Sequence, residues 1–510
     1  MMREASERLT QPYNWYNLYW GYHIKLQFLP NAIESAKARH YNRKIGGCVE
    51  YDVIIVGCGP AGIFSALELA ERTDLKILML DKGYGIDKRR HLAGSFQGVA
   101  EPDRSFWSSG WGGAGAFSDG KLTLSQSGGG WLAEYCGQER LGRLLEYVDS
   151  VYLRYGASRQ LYGGEPDRIA SIAHRAALAG LKFVPQKVRH MGTEKCAEIL
   201  FRMYEHLKDR VEVRTETEVK HLLVQDNQIA GVETTTDETI HGKYVIVAPG
   251  RSGAEWLRSQ AEAFGLEILN NPVDIGIRVE VQAALLEELT QTLYEPKFIY
   301  YSRAFDDRVR TFCVVPHGEV ITESSNGVLT VNGQSYAERK TQNSNFAILV
   351  TTSFTEPFKE PIAYGKYLAR LASLLSGGAI VQRLGDLNAG RRSTSKRIQR
   401  SLTIPTLASA TPGDLSFVLP YRYLTDLREM LQALERLAPG LNSKDTLLYG
   451  VEVKFYSSRL ALSKELETAI LNLFTIGDGA GVSRGLVQSS ASGIIVAEAI
   501  AEREVKRSVH

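Results

Sequence analysis

The segment Tyr51–Gly83, YDVIIVGCGPAGIFSALELAERTDLKILMLDKG, constrains the fold more than any other part of the 510-residue chain. Val53 to Val56 is an apolar run short enough for a strand buried on both faces. It ends in GCGPAG, so Gly57, Gly59 and Gly62 stand in G-x-G-x-x-G spacing. From Ala61 to Leu69 apolar residues recur at helical spacing, and a second apolar run, Lys76 to Leu80, ends on Asp81. Strand, glycine turn, helix, strand and acid are the parts of a dinucleotide site. Gly57 permits the turn, Gly59 lets a pyrophosphate approach the backbone, and Gly62 lets the helix pack on the sheet. Pro60 and Ala61 open the helix, whose free N–H groups and positive dipole end suit phosphates. Asp81, with Lys82 beside it, is expected to accept hydrogen bonds from both hydroxyls of an adenosine ribose.

Which dinucleotide is decided near the other end. Leu473 to Gly481, LFTIGDGAG, is an apolar strand running into Gly477 and Asp478, and a helix with small residues on one side follows from Gly485 and Leu486. An opening fingerprint paired with a late Gly-Asp resembles FAD enzymes of the two-dinucleotide-domain-like class. That likeness implies that Asp478 holds the ribityl chain and that the helix start faces the flavin pyrimidine edge. A helix start there stabilises the negative charge that gathers on reduction. Lys243 to Gly250, KYVIVAPG, resembles the strand and turn that close the FAD site in the same class, with Ala248 and Gly250 at the turn. The backbone near Val219 is expected beside the adenine on the same likeness. FAD, rather than NAD, is the expected resident cofactor.

A net charge of +2 with 23% charged residues gives no global basic excess, so nucleic acid is not expected as a partner. The five cysteines form no C-x-x-C and no even framework, which reads as reduced thiols of a cytoplasmic protein. Cys58, inside the fingerprint loop, reads as a small packing residue. No apolar run reaches the ~18 residues of a membrane span, and no signal-peptide pattern opens the chain.

Residues 1 to 50 precede the first strand and include the aromatic-rich PYNWYNLYWGYHIKLQFLP. This extension reads as an arm over the body of the protein or as a contact for a homo-oligomer, since Tyr and Trp supply much area at low entropy cost. Lys88 to His91 reads as a basic, solvated loop. Ser105 to Ser125, SFWSSGWGGAGAFSDGKLTLS, is too rich in glycine to bury a core alone. Its expected use is close approach to the cofactor, with Gly112, Gly113, Ala114, Gly115, Ser118 and Asp119 running from the pyrophosphate toward the isoalloxazine. Lys121 or Asp119 could approach the flavin from this loop.

These stretches together resemble a known family, the uncharacterised FAD-dependent dehydrogenases, that is, NAD(P)/FAD-dependent oxidoreductases with a single Rossmann-type FAD domain. The resemblance rests on GGAGAFSDGKL (Gly112 to Leu122), RHMGTEK (Arg189 to Lys195), DIGIRVEV (Asp274 to Val281), RTFCVVPHGEV (Arg310 to Val320), VNGQSYAERKTQNSNFAILV (Val331 to Val350) and the closing GDGAG. It covers most of residues 51 to 500 and implies fold and cofactor rather than substrate. The chain departs from the family at Asp478, where the family carries Glu in G-E-G-A-G. It departs again at Gly481-Val482-Ser483-Arg484-Gly485, which replaces a run of small residues and sets Arg484 near the flavin's edge.

The fold class implied is α/β: a discontinuous Rossmann-like FAD-binding domain of glutathione-reductase or hydroxylase type, with an inserted α+β substrate domain. The boundaries are 51–125, 193–263 and 440–510 for the FAD domain, and 126–192 with 264–439 for the substrate or cap domain. Within these, Thr193 reads as the N-cap of a helix to Asp209. Strand-like runs from Ile275 to Thr352 suggest a largely antiparallel sheet roofing the flavin. Leu424 to Leu437 is an amphipathic helix, and Leu447 to Phe455 reads as a strand returning to the FAD domain. Arg278 and Glu280 share a strand face and either pair or, for Arg278, take part in catalysis. His317 sits on a turn and suits the proton transfer that accompanies hydride transfer. The basic stretch Arg383 to Arg400 reads as a solvated face or, less simply, as a site for an acidic partner.

The leading functional reading is an FAD-dependent oxidoreductase that moves a hydride between a small organic substrate and flavin N5. Only one fingerprint is present, so reducing equivalents come from transient NAD(P)H, from a redox partner protein, from oxygen or from the substrate. The alternatives are a single-component FAD monooxygenase using NAD(P)H and oxygen, a tRNA-modifying or nucleic-acid-binding flavoprotein, and a non-catalytic FAD-stabilised scaffold.

Overall fold

The computed structural model describes residues 50–95, 108–117, 120–126, 128–269, 271–325, 327–334, 340–354 and 360–508. The aromatic extension and the candidate residues Ser118 and Asp119 lie outside them. Two large sheets organise the described residues, which belong to one compact unit from Cys48 onward.

The first sheet is ordered Val211–Arg214, Ile77–Leu80, Tyr51–Val56, Thr239–Val247, Gln228–Thr234, Val219–Gln225, with Leu473–Thr475 also paired to Thr239–Val247. The strands around Tyr51–Val56 are parallel, with Val53 opposite Ile77 on one side and Tyr244 on the other. A parallel sheet needs both faces covered, which is why YDVIIV is apolar almost throughout. Val53 and Ile55 face a core that also holds Ile63, Phe64 and Leu67 of the helix Pro60–Arg72, whereas Ile54 and Val56 face the opposite core with Val219 and Leu222. Each such side chain contributes about 1.5–3 kcal/mol on burial. The closing helix Gly485–Ser508 lies against the fingerprint helix so tightly that a Cβ on Gly493 would overlap the Ala61 carbonyl, and Ser65 Oγ donates to the Gly493 carbonyl at 3.2 Å.

The second sheet is ordered Thr411–Pro412, Ile380–Arg383, Leu447–Lys454, Val273–Gln282, Asn343–Thr352, Arg308–Val315, Lys297–Tyr301, Lys182–Val184, and is antiparallel apart from its first pair. Its central strand alternates. Ile275, Ile277, Val279 and Val281 meet Leu427, Met430, Leu431 and Leu434 of the helix Tyr421–Leu437. The intervening Asp274, Arg278 and Glu280 form a buried polar row on the other face. The hairpin Glu319–Ser325 and Val328–Gln334 supplies Asn332 to this row.

Three expectations change here. Leu447–Lys454 does not join the first sheet, as a strand returning to the FAD domain was expected to; it runs antiparallel between Val273–Gln282 and Ile380–Arg383. A strand buried on both faces fits the centre of either sheet, so its composition did not decide. Residues 126–192 do not act as one piece: Leu141, Leu144, Leu145 and Val148 of the helix Gln138–Arg154 join the core of the first sheet, while Ile172 and Ala176 of Pro166–Leu178 join that of the second. The helix expected to be capped by Thr193 starts at that residue, with Gly192 at the cap in the left-handed region (φ 80°).

Among the described residues no helix is long and apolar enough to cross a membrane, and no group of three or more acidic, His or Cys residues could hold a metal.

Candidate functional site

The fingerprint, the 243–250 turn and the late Gly-Asp meet at the carboxyl ends of three adjacent parallel strands, where open α/β sheets bind ligands. A Cβ on Gly57 (φ 111°) would overlap the Ala248 carbonyl, and one on Gly62 would overlap the Gly57 carbonyl. These two glycines are held by their own backbone neighbours. Gly59, Gly250 and Gly485 differ, because a Cβ on any of them would meet nothing within 4 Å. Gly59 caps the helix Pro60–Arg72 without a side-chain hydrogen bond, which leaves first-turn N–H groups for a ligand.

The Gly-rich loop lies directly against this turn. Gly112 N donates to the Cys58 carbonyl at 2.7 Å, and a Cβ on Gly113 would come within 3.1 Å of Gly59 Cα. At Gly115 a Cβ would be 2.7 Å from Leu486 Cδ2 and 3.4 Å from Pro60 Cγ. The starts of the fingerprint and closing helices therefore converge on one glycine of the loop. Ala114, beside it, is exposed. Trp111 anchors the loop, fully buried and donating from Nε1 to the Leu200 carbonyl at 2.9 Å.

Arg89 holds the same loop, donating to the Trp111 carbonyl at 2.6 Å and to the Gly113 carbonyl at 3.0 Å. Burial pushes its guanidinium down to about 10, against the opposing charge of Asp81. The expected solvated loop Lys88–His91 is thus part of a helix, Ile86–Ser95, with a fully buried arginine at its centre. A basic tetrapeptide gives no sign of which side chain turns inward.

Asp81 is placed differently from expectation. Its carboxylate accepts the backbone N–H groups of Cys58 (2.8 Å), Gly83 (2.9 Å) and Gly110 (2.6 Å). A carboxylate offers about four acceptor positions, so one is left where two ribose hydroxyls were expected. Lys82 is at the surface, 3.6 Å from Glu218. Val219 starts its strand with its side chain in the core. Asp478 shows the same economy as Asp81. Its Oδ1 accepts Ser483 Oγ and Ser489 Oγ, both at 2.8 Å, and its Oδ2 accepts the Gly485 N–H at 3.1 Å. Gly477 lies against Ala61, whose Cβ is 3.2 Å from where its own would be.

The open positions at Gly59, Gly250 and Gly485 and the uncapped helix start fit an extended dinucleotide lying between the fingerprint and the closing helix.

A charged cluster stands at the start of the closing helix. Asp274, at the near end of the central strand of the second sheet, accepts hydrogen bonds from Tyr456 Oη and Arg310 Nη2. Arg310 Nη2 also donates to Tyr456 Oη at 3.0 Å. Burial raises the Asp274 carboxyl, but Arg310 and Tyr456 outweigh it and hold the group below the usual carboxylate range. The Arg484 guanidinium lies 3.4 Å above the Tyr456 ring, and Trp131 meets that ring edge-on at 5.8 Å. Lys297, on the strand beside that of Arg310, is driven down to about 8 by burial and then by the charges of Arg310 and Arg308. Next to these, Lys121 Nζ is 3.6 Å from Glu295 Oε2 and 5.6 Å from the Tyr294 ring centre, and His190 stacks on that ring at 4.7 Å.

Of the three expected catalytic residues, only Lys121 is near this cluster. Arg278 is fully buried; it donates to both carboxylate oxygens of Glu452 (2.7 and 2.8 Å), to the Cys313 carbonyl and to Asn332 and Asn345. It does not pair with Glu280, which accepts from Tyr449 Oη at 2.5 Å and from Asn343 Nδ2 at 3.1 Å. His317, in the left-handed region (φ 50°), is knit into its own turn, with Nδ1 3.1 Å from the Thr341 carbonyl. Six residues, 311–316, with a bulge among them, separate it from Arg310 along the chain. Sequence reading missed Asp274, Arg310, Tyr456 and Lys297. The one local signal was the alternation of charged with apolar residues in DIGIRVEV.

Three of the six cations of the Arg383–Arg400 stretch are ion-paired. Arg391 is 2.9 Å from the buried Asp386, Arg397 is 3.8 Å from it, and Arg383 is 2.6 Å from Asp445.

Residues 52–348 match the family model described as FAD dependent oxidoreductase, and residues 272–455 match that of the FAD-dependent protein, C-terminal domain-like, which coincides with most of the second sheet. An uncharacterized protein of Clostridium beijerinckii (strain ATCC 51743 / NCIMB 8052) is 27% identical over 481 residues, covering 88% of this chain and 80% of its own. Among solved structures, glycine oxidase from Bacillus cereus ATCC 14579 aligns at 13% identity and a TM-score of 0.35, covering 89% of this chain and 96% of that one. L-proline dehydrogenase from P. horikoshii aligns at 11% identity and a TM-score of 0.37, covering 89% and 94%. With more than half of its length matched to one family model, this chain belongs to the FAD dependent oxidoreductase family.

Proposed function

We propose that the protein moves a hydride between a small organic substrate and the N5 position of its FAD, with the substrate held between the closing helix and the second sheet. The observation that carries this reading is the cluster of Asp274, Arg310, Tyr456 and Arg484. These are polar side chains of the second sheet and of the chain beyond it, gathered at the start of the closing helix.

When bound, FAD supplies the two-electron chemistry. Gly59 and the uncapped start of Pro60–Arg72 would hold the pyrophosphate, on a turn set by Gly57 and Gly62, and Asp81 would have one acceptor position to offer the ribose. Asp478 fixes the loop 478–489 through Ser483, Ser489 and Gly485, so the closing helix starts at a defined place. That start, with Arg484 immediately before it, favours negative charge at its end. Trp131 and Tyr456 form an apolar wall that limits water. The pair Lys121 and Glu295 stands where a proton could be taken or given.

The test is anaerobic. The purified yellow protein is mixed with alcohols, amines, organic acids and NAD(P)H in turn, and flavin absorbance is followed. Bleaching by one class of donor, at a rate matching turnover with an acceptor, is the expected result. Flavin that no organic donor bleaches would overturn the reading. Oxygen incorporated into product would replace it with the monooxygenase.

A further inference from the structure

Residues 391–413 hold five lysines and arginines and no acid. Arg391 and Arg397 turn toward Asp386, but Arg392, Lys396 and Arg400 are not ion-paired with any described acid, and all three are exposed. Immediately after Arg400 stand two aliphatic side chains in water, Leu402 (71% exposed) and Ile404 (76%), with Thr403 between them buried. That alternation sends both aliphatic side chains outward. The backbone beneath them is pinned at nearly every residue. Ser401 Oγ donates to the Asp445 carbonyl at 3.0 Å, Gln282 Nε2 to the Leu402 carbonyl at 3.1 Å and Asn343 Nδ2 to the Ile404 carbonyl at 2.7 Å. Thr406 donates to the buried Glu280 from both its N–H and its hydroxyl. A fixed turn therefore presents the apolar pair to solvent, and the polar row of the second sheet fixes it.

Exposed aliphatic side chains beside unpaired cations match the surface of an anionic bilayer. There the apolar groups enter the acyl boundary while Lys and Arg stay at the level of the phosphates on their long stems. A single-stranded nucleic acid fits less well, because residues 384–416 contain no aromatic side chain on which a base could stack. A second copy of the chain fits less well too, since a two-fold axis would set these cations against their own images. We propose that this turn docks the protein on anionic membranes, with Leu402 and Ile404 entering the lipid and Arg392, Lys396 and Arg400 meeting the headgroups. Glu280, which holds the turn, is six residues along the central strand from Asp274, roughly 20 Å of extended chain. The lipid contact is thus at the other end of that strand from the Asp274 cluster, and it is independent of the reaction proposed above.

Full-length, FAD-loaded protein is sedimented with vesicles of phosphatidylcholine alone and of phosphatidylcholine with about one-third phosphatidylglycerol, and the bound fraction is read against lipid concentration. Binding to the anionic vesicles is expected, weakening as salt is added, with little binding to the neutral ones. A cation near such a surface strengthens partitioning about fivefold, so Arg392→Gln/Lys396→Gln/Arg400→Gln should bind roughly a hundredfold more weakly. Leu402→Ser/Ile404→Ser should lose at least about tenfold, the burial of one aliphatic side chain or more. Flavin content and thermal midpoint are measured first; if the serine pair lowers the midpoint, Leu402→Gln and Ile404→Gln singly carry the comparison. Equal binding to both kinds of vesicle, or anionic binding unmoved in these variants, would overturn the proposal. So would binding that falls with the cations and not with the aliphatic pair, since that is attraction without insertion. Vesicles left unbound while RNA or poly-L-glutamate is retained through the three cations would replace the membrane with a nucleic acid or an acidic protein.

Discussion

The Gly110 N–H donates to Asp81 Oδ1 across 2.6 Å, tying the acid that ends the second strand of the fingerprint to the Gly-rich loop packed over the first turn. Together with the N–H groups of Cys58 and Gly83 this makes Asp81 a clasp for three pieces of backbone.

Asp81→Ala should therefore damage the protein even without cofactor. Three N–H donors lose their acceptor in a buried setting, at about 1–3 kcal/mol for each that water cannot reach. The expected outcome is a lower thermal midpoint for the apoprotein as well as poor FAD retention. A variant with an unchanged apoprotein midpoint that fails only to hold FAD would show that Asp81 acts on the ribose alone.

Arg278 is expected to matter for stability and not for the flavin. Arg278→Met strands the fully buried Glu452, for which Lys454 Nζ at 3.1 Å from Oε1 is only a partial replacement. Breaking a buried pair by removing one partner costs about 3–5 kcal/mol, and replacing both partners by apolar groups costs far less. Denaturant titration should show Arg278→Met well below wild type and the double variant Arg278→Met/Glu452→Met recovering much of the loss. An unchanged midpoint combined with a large fall in flavin reduction rate would instead return Arg278 to the catalytic set.

How far the molecule could be read from its sequence depended on distance along the chain. The turn at Gly57–Gly62 was legible because strand, glycines, helix and acid all fall within thirty-odd residues and obey local rules. The late Gly477-Asp478 was legible for the same reason. Arg89 was not, because nothing in KRRH says which cation turns inward to meet the Trp111 and Gly113 carbonyls. The Asp274–Arg310–Tyr456–Arg484 cluster needs four segments brought together by strand register, with Asp274 opposite Thr351 and Arg310 opposite Leu349 on the shared strand. The alternation of Asp274, Arg278 and Glu280 with apolar residues announced a polar face, but not which end of it would meet Arg310 and Tyr456.

Asp426 should make the fold more stable in mild acid than its neutralised variant would suggest. It is fully buried on the helix Tyr421–Leu437, and burial, with the neighbouring Asp307 carboxylate adding to it, raises its carboxyl to about 6. Unfolded, an Asp titrates near 3.9. Between those values the folded state binds more protons than the unfolded one, so stability falls as pH rises. The contribution of this group is fully present below about 4, declines through 6, and is lost above. Asp426→Asn fixes the neutral form, so its thermal midpoint relative to wild type should rise between pH 5 and pH 8. Differential scanning calorimetry at the two pH values measures this, and an equal difference at both would show that Asp426 is not held protonated by its surroundings.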